Sequence, residues 1–310
     1  MDSSEVVVVG GINLDIKGRT EAAFRLETSN PGIIKTAAGG VGRNIAENLA
    51  RLGVGVTLLG VIGQDPEGDQ IVRETAAAGV AVQHLLRLED AKTGIYIALD
   101  NYDGEMVAAL SDMEILNRFP VAYLESKSGL LREARFIVCD TNIPEEALAF
   151  LIELAAAAQV PLCVEPVSVA KSQRVVRQLR GVTILTPNLD ELAAMTGVEA
   201  KRSNVAEVAA LLIARGVDTV ITTMGEGGLC CTTGEGSQVL PSYPTRVVEV
   251  TGAGDALTAG LIYGLTQRYP LADACRCGLA AAAITVASIG TVSKTMNLDV
   301  VREVIARGRL

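Results

Sequence analysis

Short aliphatic runs alternate with helix-like segments along most of the chain. The runs are rich in β-branched residues and almost unbroken, which is typical of parallel strands covered on both faces. They are Glu5–Val9, Val56–Val61, Phe136–Cys139, Leu162–Val164, Thr183–Leu185 and Thr219–Thr223. The segments between them predict helices at Arg43–Leu52, Gly68–Ala78, Glu145–Ala157, Leu189–Met195 and Val205–Arg215. This alternation predicts an α/β domain with a mainly parallel sheet.

Two segments interrupt the alternation. Asp15–Thr36 has no helical period and contains the turn signal Ser29-Asn30-Pro31-Gly32. Thr93–Ser111 predicts two strands joined by a hairpin turn at Asn101-Tyr102-Asp103-Gly104. We expect the segments at about 15–36 and 93–112 to form a small separate sheet that covers a site as a lid. The last part of the chain, Asp255 to Arg307, has an almost wholly helical pattern.

The composition narrows the classes of function. Of the 310 residues, 49% are apolar and none is Trp, so we expect one domain over residues 1–310 with a large aliphatic core. The net charge of −9 argues against a nucleic acid or an anionic membrane as the main partner. The polar start does not resemble a signal peptide, and no apolar run is long enough to cross a membrane.

The six cysteines predict reduced residues in the core of a cytoplasmic protein. They fall in apolar runs without a CxxC pair, and a single histidine is available to help bind zinc. They are Cys139, Cys163, Cys230, Cys231, Cys275 and Cys277.

The segment Val250–Gly264 places glycines and one carboxylate at the start of a predicted helix. Unpaired N–H groups and a partial positive charge make a helix N-terminus a site for anions, and glycines let the backbone approach the ligand. Thr251, Gly252, Ala253 and Gly254 therefore predict an anion hole for a phosphoryl group, with Asp255 placed to accept a proton from an attacking hydroxyl. The helix dipole is expected to lower the pKa of Asp255. An Asp that caps the helix after a flexible turn is the structural alternative.

Two segments suit an acceptor with several hydroxyls. Gly40 and Gly42 lie in a glycine loop that opens a helix, and Asn44 in its first turn offers both a donor and an acceptor. Asn13 and Asp15 follow the first strand and point to the same side if the chain is extended, as vicinal sugar hydroxyls require. A tight loop and a polar strand end are the structural alternatives.

Two other segments suit a nucleotide. Asn188 and Glu191 follow a strand and are candidates for the phosphates and a magnesium ion, although their spacing is also that of a capping box. Thr223, Gly225 and Gly228 join two strand-like runs and either line a nucleotide pocket or form a hairpin turn.

In this order, the motifs resemble those of the ribokinase-like carbohydrate kinase family. They are Asn13-x-Asp15, Gly39-Gly40-x-Gly42-x-Asn44, Asn188-x-x-Glu191, Thr223-x-Gly225 and Thr251-Gly252-Ala253-Gly254-Asp255. The resemblance implies a three-layer α/β sandwich with a mainly parallel central sheet, a small β-sheet lid often used for homodimerisation, and magnesium-ATP as the phosphoryl donor. It further implies a sugar or nucleoside acceptor held by Asn13, Asp15, Gly40, Gly42 and Asn44. Asp255 would be the catalytic base, Gly252 to Gly254 the anion hole, Asn188 and Glu191 the phosphate and metal residues, and Thr223, Gly225, Gly228 and Thr251 would lie by the nucleotide.

A closer resemblance within this family is to the pseudouridine kinases. It lies in the segments Ser29–Lys35, Gly39–Ala50, Asp103–Met106, Ser111–Met113 and Asn142–Leu148. It implies phosphorylation of the 5′-hydroxyl of pseudouridine, with Ser111, Asp112 and Asn142 as candidates for contact with the base. Another sugar or nucleoside acceptor, such as ribose, inosine, guanosine or uridine, and a non-catalytic sugar-binding regulator remain alternatives.

Three residues depart from the family pattern. Val41 stands where ribokinase has a lysine, which argues against free ribose as the best acceptor. Glu165 replaces the more usual Asp before a proline, and Glu249 stands where potassium-dependent members often carry Asp. Potassium is therefore a candidate activator, and the sequence does not decide whether it is required.

Overall fold

The computed structural model describes residues 6–308 and contains three β-sheets flanked by helices. The strands are β1 (Val6–Val9), β2 (Asn13–Thr20), β3 (Gly32–Gly39), β4 (Val56–Leu59), β5 (Val61–Gly63), β6 (Leu86–Leu88), β7 (Gly94–Asp100), β8 (Met106–Asp112), β9 (Phe136–Asp140), β10 (Leu162–Glu165), β11 (Ile184–Leu185), β12 (Thr219–Thr223), β13 (Leu229–Thr233) and β14 (Gly236–Leu240).

The helices connect these strands and make up most of the C-terminal part. They are α1 (Val41–Arg51), α2 (Pro66–Ala77), α3 (Val121–Ser126), α4 (Ser128–Glu133), α5 (Glu145–Ala158), α6 (Val169–Val176), α7 (Leu189–Thr196), α8 (Val205–Ala214), α9 (Ala253–Thr266), α10 (Leu271–Val286) and α11 (Leu298–Arg307). Short 3-10 turns lie at Glu114–Arg118 and Gly225–Gly227. Among the residues from 6 to 308, no helix has the length and apolar character to cross a membrane.

The central sheet has eight strands in the order β14-β13-β12-β11-β10-β9-β1-β4. Six neighbouring strands of this sheet run parallel: β12, β11, β10, β9, β1 and β4. Strands β13 and β14 are added antiparallel at one edge. Alternate residues of each strand point to opposite faces, so Val6 and Val8 join one hydrophobic core while Val7 and Val9 join the other. Helices α1, α9, α10 and α11 cover the first face, and α5 to α8 cover the second. The predicted three-layer α/β sandwich is confirmed.

The lid is a four-stranded sheet in the order β3-β2-β7-β8. Strand β2 pairs with β3 antiparallel and with β7 parallel, and β7 forms the expected hairpin with β8. Its first segment is longer than predicted, because β2 begins at Asn13 and β3 ends at Gly39. Strand β2 of the lid therefore carries Asn13 and Asp15, and β3 leads directly through Gly40 into α1.

Most predicted elements are confirmed, with differences at their ends. The predicted strand Val56–Val61 is interrupted at Gly60 and forms β4 and β5, which belong to different sheets. A Cβ atom at Gly60 would lie 2.4 Å from Cδ1 of Ile12, so the chain turns at a point of close packing. Glu5, at the start of the first predicted strand, lies outside the described residues. All six cysteines are buried and carry free thiols.

Candidate active site

The first turn of α9 forms the centre of the site. Its N-cap residue, Gly252, has a φ of +82°, and a Cβ atom there would lie 2.0 Å from the carbonyl oxygen of Thr291. Only glycine fits this position without displacing the backbone. A Cβ atom at Gly254 would have no neighbour within 4 Å, so a ligand can approach the helix N-terminus there. In this structure the N–H of Ala253 donates to the carbonyl of Val250 at 3.3 Å.

Asp255 lies in this turn and is 9% exposed. The side-chain amide of Asn44 donates to its Oδ2 atom at 2.9 Å. Burial raises the pKa of Asp255 to about 7; the Asn44 hydrogen bond acts in the opposite direction, and the charges of Asp140 and Asp15 raise it further. The expected lowered pKa of Asp255 is therefore wrong, because burial has the largest effect and raises it. A carboxylate with a pKa near neutrality is well matched to proton transfer at physiological pH.

This pKa predicts a pH dependence for turnover. A general base acts in its deprotonated form, so kcat/KM should rise as pH increases through about 7 and level off above it. Below pH 6 we expect kcat/KM to fall roughly tenfold per pH unit. A pH–rate profile between pH 5 and 9 measures this directly. A profile that is flat down to pH 5 would mean that the pKa of the catalytic group is not raised.

The predicted acceptor residues come together beside Asp255. The amide of Asn13 donates to Oδ1 of Asp15 at 2.5 Å, so both side chains point to the same side of β2, as predicted. Burial raises the pKa of Asp15, while the Asn13 bond and the charge of Arg43 act against this rise. Gly40 is the N-cap of α1 with a φ of +100°, and a Cβ atom there would lie 2.3 Å from the carbonyl oxygen of Gly11.

Asp140 connects the loops around the acceptor residues. It is fully buried at the end of β9, and its Oδ2 atom accepts the N–H groups of Gly11 at 2.8 Å and Gly42 at 2.6 Å. Its Oδ1 atom accepts the N–H of Asn142 at 2.8 Å. One carboxylate thus holds together the loop after β1, the first turn of α1 and the loop after β9. The sequence analysis missed this residue, although an acid that directly follows the buried strand ending at Cys139 is a signal for it.

The three candidates for contact with a base lie in different environments. Asn142 is buried, and its side-chain oxygen accepts a hydrogen bond from the ammonium of Lys171. Ser111 is exposed on β8 and pairs with Tyr96, which in turn pairs with Asp15, so Ser111 shares the lid face of Asp15.

Asp112 lies on the other face of the lid. It pairs with Ile95, which pairs with Leu14, and residues paired directly across strands share a face. Strand alternation therefore separates Asp112 from the face of Asp15, and its contact with the base stays a prediction.

The candidate nucleotide residues surround the start of α7 and the end of β12. Asn188 and Glu191 form the capping box, with both reciprocal hydrogen bonds at 2.9 Å, so the structural alternative is confirmed for this pair. Thr223 pairs with Asn188 in an isolated parallel bridge. Gly225 has a φ of +58° and faces open space, whereas a Cβ atom at Gly228 would lie 2.0 Å from the carbonyl oxygen of Leu240. Thr251, in the loop before α9, is exposed.

Glu165 links the nucleotide side to Asp255. It is buried at the end of β10, and its Oε2 atom accepts the hydroxyls of Thr186 and, at 3.1 Å, Thr258. Burial raises its pKa to about 8, and the negative charges of Glu191 and Asp255 contribute to the rise. Glu165 is therefore close enough to Glu191 and to Asp255 for their charges to act on its protonation. Residues 6–308 contain no cluster of three or more typical metal ligands.

Comparison with known proteins agrees with this fold. Residues 3–297 match the model of the pfkB family of carbohydrate kinases. A pseudouridine kinase of Escherichia coli (strain K12) is 38% identical over 274 residues, with 87% of each chain covered. The structure of a carbohydrate kinase from Agrobacterium tumefaciens is 31% identical, with a TM-score of 0.87 and coverage of 97% of this chain and 96% of that one.

A further solved structure supports the fold alone. It is an Arabidopsis thaliana ribokinase complexed with ribose and ATP, 22% identical, with a TM-score of 0.85 and coverage of 97% of this chain and 98% of that one. Because the family model spans most of the chain and the glycine loops and Asp255 lie together, the chain belongs to the pfkB family of carbohydrate kinases, which are ATP-dependent phosphotransferases.

Proposed function

We propose that this protein phosphorylates the 5′-hydroxyl of pseudouridine with ATP. The observation that carries the proposal is Asp255, buried at the N-terminus of α9 with a pKa of about 7 and fixed by Asn44. The choice of acceptor rests on the E. coli relative named pseudouridine kinase and on the lid segments that resemble this group.

The proposed reaction is a direct in-line transfer. Asn13 and Asp15 hold the ribose hydroxyls so that the 5′-hydroxyl faces Asp255. The 5′-oxygen forms a bond to the γ-phosphorus, its proton passes to the carboxylate of Asp255, and the bond from the γ-phosphorus to the bridging oxygen breaks to release ADP. The N–H groups at the start of α9, including that of Gly254, stabilise the charge on the transferred group. Most of the rate then comes from positioning and charge stabilisation.

Magnesium would reach the site with ATP. Glu191 would hold it through water, because one of its carboxylate oxygens already accepts the N–H of Asn188. When bound, the ion neutralises charge on the β- and γ-phosphates. Potassium is a weaker candidate, since the ammonium of Lys17 and the N–H of Gly290 already contact the carboxylate of Glu249.

Asp15→Ala is expected to raise the KM for the acceptor roughly 10- to 100-fold, because buried ribose hydroxyls would lose a charged hydrogen-bond partner. The value of kcat should change much less, because Asp255 and the helix N-terminus stay in place. Initial rates at saturating ATP measure both constants. An unchanged KM would show that Asp15 only terminates a polar strand.

Turnover with a panel of acceptors tests the proposed substrate. We expect kcat/KM from ADP release to be highest for pseudouridine among pseudouridine, uridine, inosine, guanosine, ribose and ribose 5-phosphate. Pseudouridine differs from uridine by an additional base N–H, so discrimination requires a placed polar group. The candidates for that group are Ser111, Asp112 and Asn142. A higher kcat/KM for another acceptor would keep the kinase mechanism and overturn the acceptor assignment.

The lid is expected to form a homodimer contact. Its face opposite Asp15 exposes Ile34, Leu99 and Leu110, which are 73%, 37% and 69% exposed. Exposed apolar residues on a small sheet with a free edge are typical of an interface. Leu110→Asp should therefore convert the protein from dimer to monomer in sedimentation analysis. A wild-type protein that is monomeric at micromolar concentration would contradict this assignment.

A further inference from the structure

One ammonium group joins the lid to the loop before α9. Nζ of Lys17, on strand β2 of the lid, lies 3.0 Å from Oε1 of Glu249 and 3.4 Å from Oδ2 of Asp100. The other carboxylate oxygen of Glu249 accepts the N–H of Gly290 at 2.9 Å. Lys17 and Glu249 are 232 positions apart in sequence, so the contact connects two parts of the molecule that nothing local brings together.

Both ends of this contact adjoin candidate catalytic groups. Lys17 lies two positions after Asp15 on the same face of β2, beside the proposed acceptor. Glu249 lies two positions before Thr251, where the proposed anion hole begins. A displacement of the lid strand at Lys17 would therefore act on the loop that leads into α9.

The loop before α9 has few other anchors. Val247, Val248 and Val250 are 55%, 50% and 69% exposed, so packing contributes little to holding it. Two backbone N–H groups, those of Val248 and Glu249, donate to the carbonyl of Val286. The side chain of Glu249 is thus well placed to decide where this loop lies relative to the lid.

The contact stays ionic near neutral pH. Burial lowers the pKa of Lys17, but the hydrogen bond with Glu249 and the charges of Glu249 and Asp100 outweigh this effect, so the pKa is raised. Burial raises the pKa of Glu249, but the N–H of Gly290 and the ammonium of Lys17 lower it overall. The Lys17 side chain is 49% exposed and that of Glu249 is 20% exposed, so the pair is partly screened by water.

We propose that Lys17 is a positioning residue that couples closure of the lid over the acceptor to the geometry of the anion hole. The inference rests on the proposed phosphoryl transfer at this site. When the lid closes on an acceptor held by Asp15, Lys17 moves with the same strand and draws Glu249 and the following loop into place. Acceptor and nucleotide should then strengthen each other's binding, and by thermodynamic linkage the factor must be equal in both directions.

Three variants and one control test this coupling. Lys17→Met keeps most of the aliphatic stem and removes the charge, and Glu249→Gln keeps the size of the side chain and removes the charge on the other partner. Lys17→Arg keeps the positive charge beside Glu249 and Asp100. Arg87→Met is the matched control, because it removes an exposed ion pair with Asp69 elsewhere on the surface.

Each protein is measured for kcat and KM, and for the Kd of a non-hydrolysable ATP analogue with and without saturating pseudouridine. In the wild type we expect pseudouridine to tighten nucleotide binding about tenfold. Lys17→Met and Glu249→Gln should abolish this effect and lower kcat about tenfold, while the Kd for each ligand alone changes less than about twofold. Lys17→Arg and Arg87→Met should retain at least half of the coupling.

Three results would overturn the proposal. They are a wild type in which the two ligands bind independently, a Lys17→Met protein with full coupling, and an Arg87→Met protein that loses as much coupling as Lys17→Met. Failure of the proposed function is a separate result. If the wild type releases no ADP with any acceptor of the panel but its ligands still bind cooperatively, the transfer assignment fails and the coupling stands.

Discussion

Replacing Asp255 by Asn is expected to lower kcat roughly 10³-fold, within the range of 10² to 10⁴ that a general base contributes. The substitution keeps the size of the side chain and its ability to accept the hydrogen bond from Asn44, but removes its ability to take a proton. Acceptor and nucleotide should still bind, because their contacts lie on other residues. The loss should therefore be in kcat, with KM nearly unchanged.

The same substitution should not destabilise the fold. A carboxyl whose folded-state pKa is about 7, above the ordinary value of 3.8, holds a proton more tightly in the folded protein. Its contribution to stability is therefore lost as pH rises from about 4 to about 7. At pH 8 the ionised Asp255 is unfavourable, and Asp255→Asn should have an equal or higher Tm.

Asp299→Asn is the matched control for Asp255→Asn. Asp299 also lies in the first turn of a helix, α11, but its side chain is 88% exposed and pairs with Arg302. Its kcat should equal that of the wild type. Near-normal turnover of Asp255→Asn would remove Asp255 as the base, and an equal loss in both variants would show a general effect of charge.

Gly252→Ala is expected to lower kcat at least 10²-fold, the loss typical of removing one donor from an oxyanion hole. A methyl group here meets the carbonyl oxygen of Thr291 at 2.0 Å, and the φ of +82° is unfavourable for any residue with a Cβ atom. The start of α9 must shift to relieve this contact, which displaces the N–H groups and the Asp255 carboxylate together. Single-turnover rates measure this loss. A far-UV circular dichroism spectrum like that of the wild type would show that the variant is still folded.

Gly53→Ala separates backbone strain from the loss of the anion hole. Gly53 has the same φ of +82° at the end of α1, but a Cβ atom there has no neighbour within 4 Å. Gly53→Ala should cost about 1 kcal/mol of unfolding free energy and leave kcat unchanged. If Gly252→Ala behaved like Gly53→Ala, the tight approach to Thr291 would have no catalytic role.

Periodicity and local turn chemistry were sufficient to predict much of the fold. The β-branched runs fix the parallel strands, and the hairpin at Asn101–Gly104 follows from its turn residues. The side-by-side placement of Asn13 and Asp15 follows from strand alternation alone. These features are local, so a single sequence contains the information for them.

Long-range contacts account for what the sequence analysis missed. The pKa of Asp255 depends on its burial in the folded chain and on a hydrogen bond from Asn44, 211 positions away. The contacts of Asp140 and the Lys17–Glu249 pair likewise join segments that only the folded chain brings together. The position of Asp112 on the lid face opposite Asp15 was not predicted either, because its face depends on the register of β8 with β7.

The most direct test of the proposed reaction is phosphorus NMR of the product made from ATP and pseudouridine by the purified protein. We expect one phosphomonoester whose phosphorus couples to the two 5′ protons, together with one equivalent of ADP. A phosphate attached to the 2′- or 3′-hydroxyl, or inorganic phosphate in place of a phosphorylated nucleoside, would contradict transfer to the 5′-hydroxyl by Asp255.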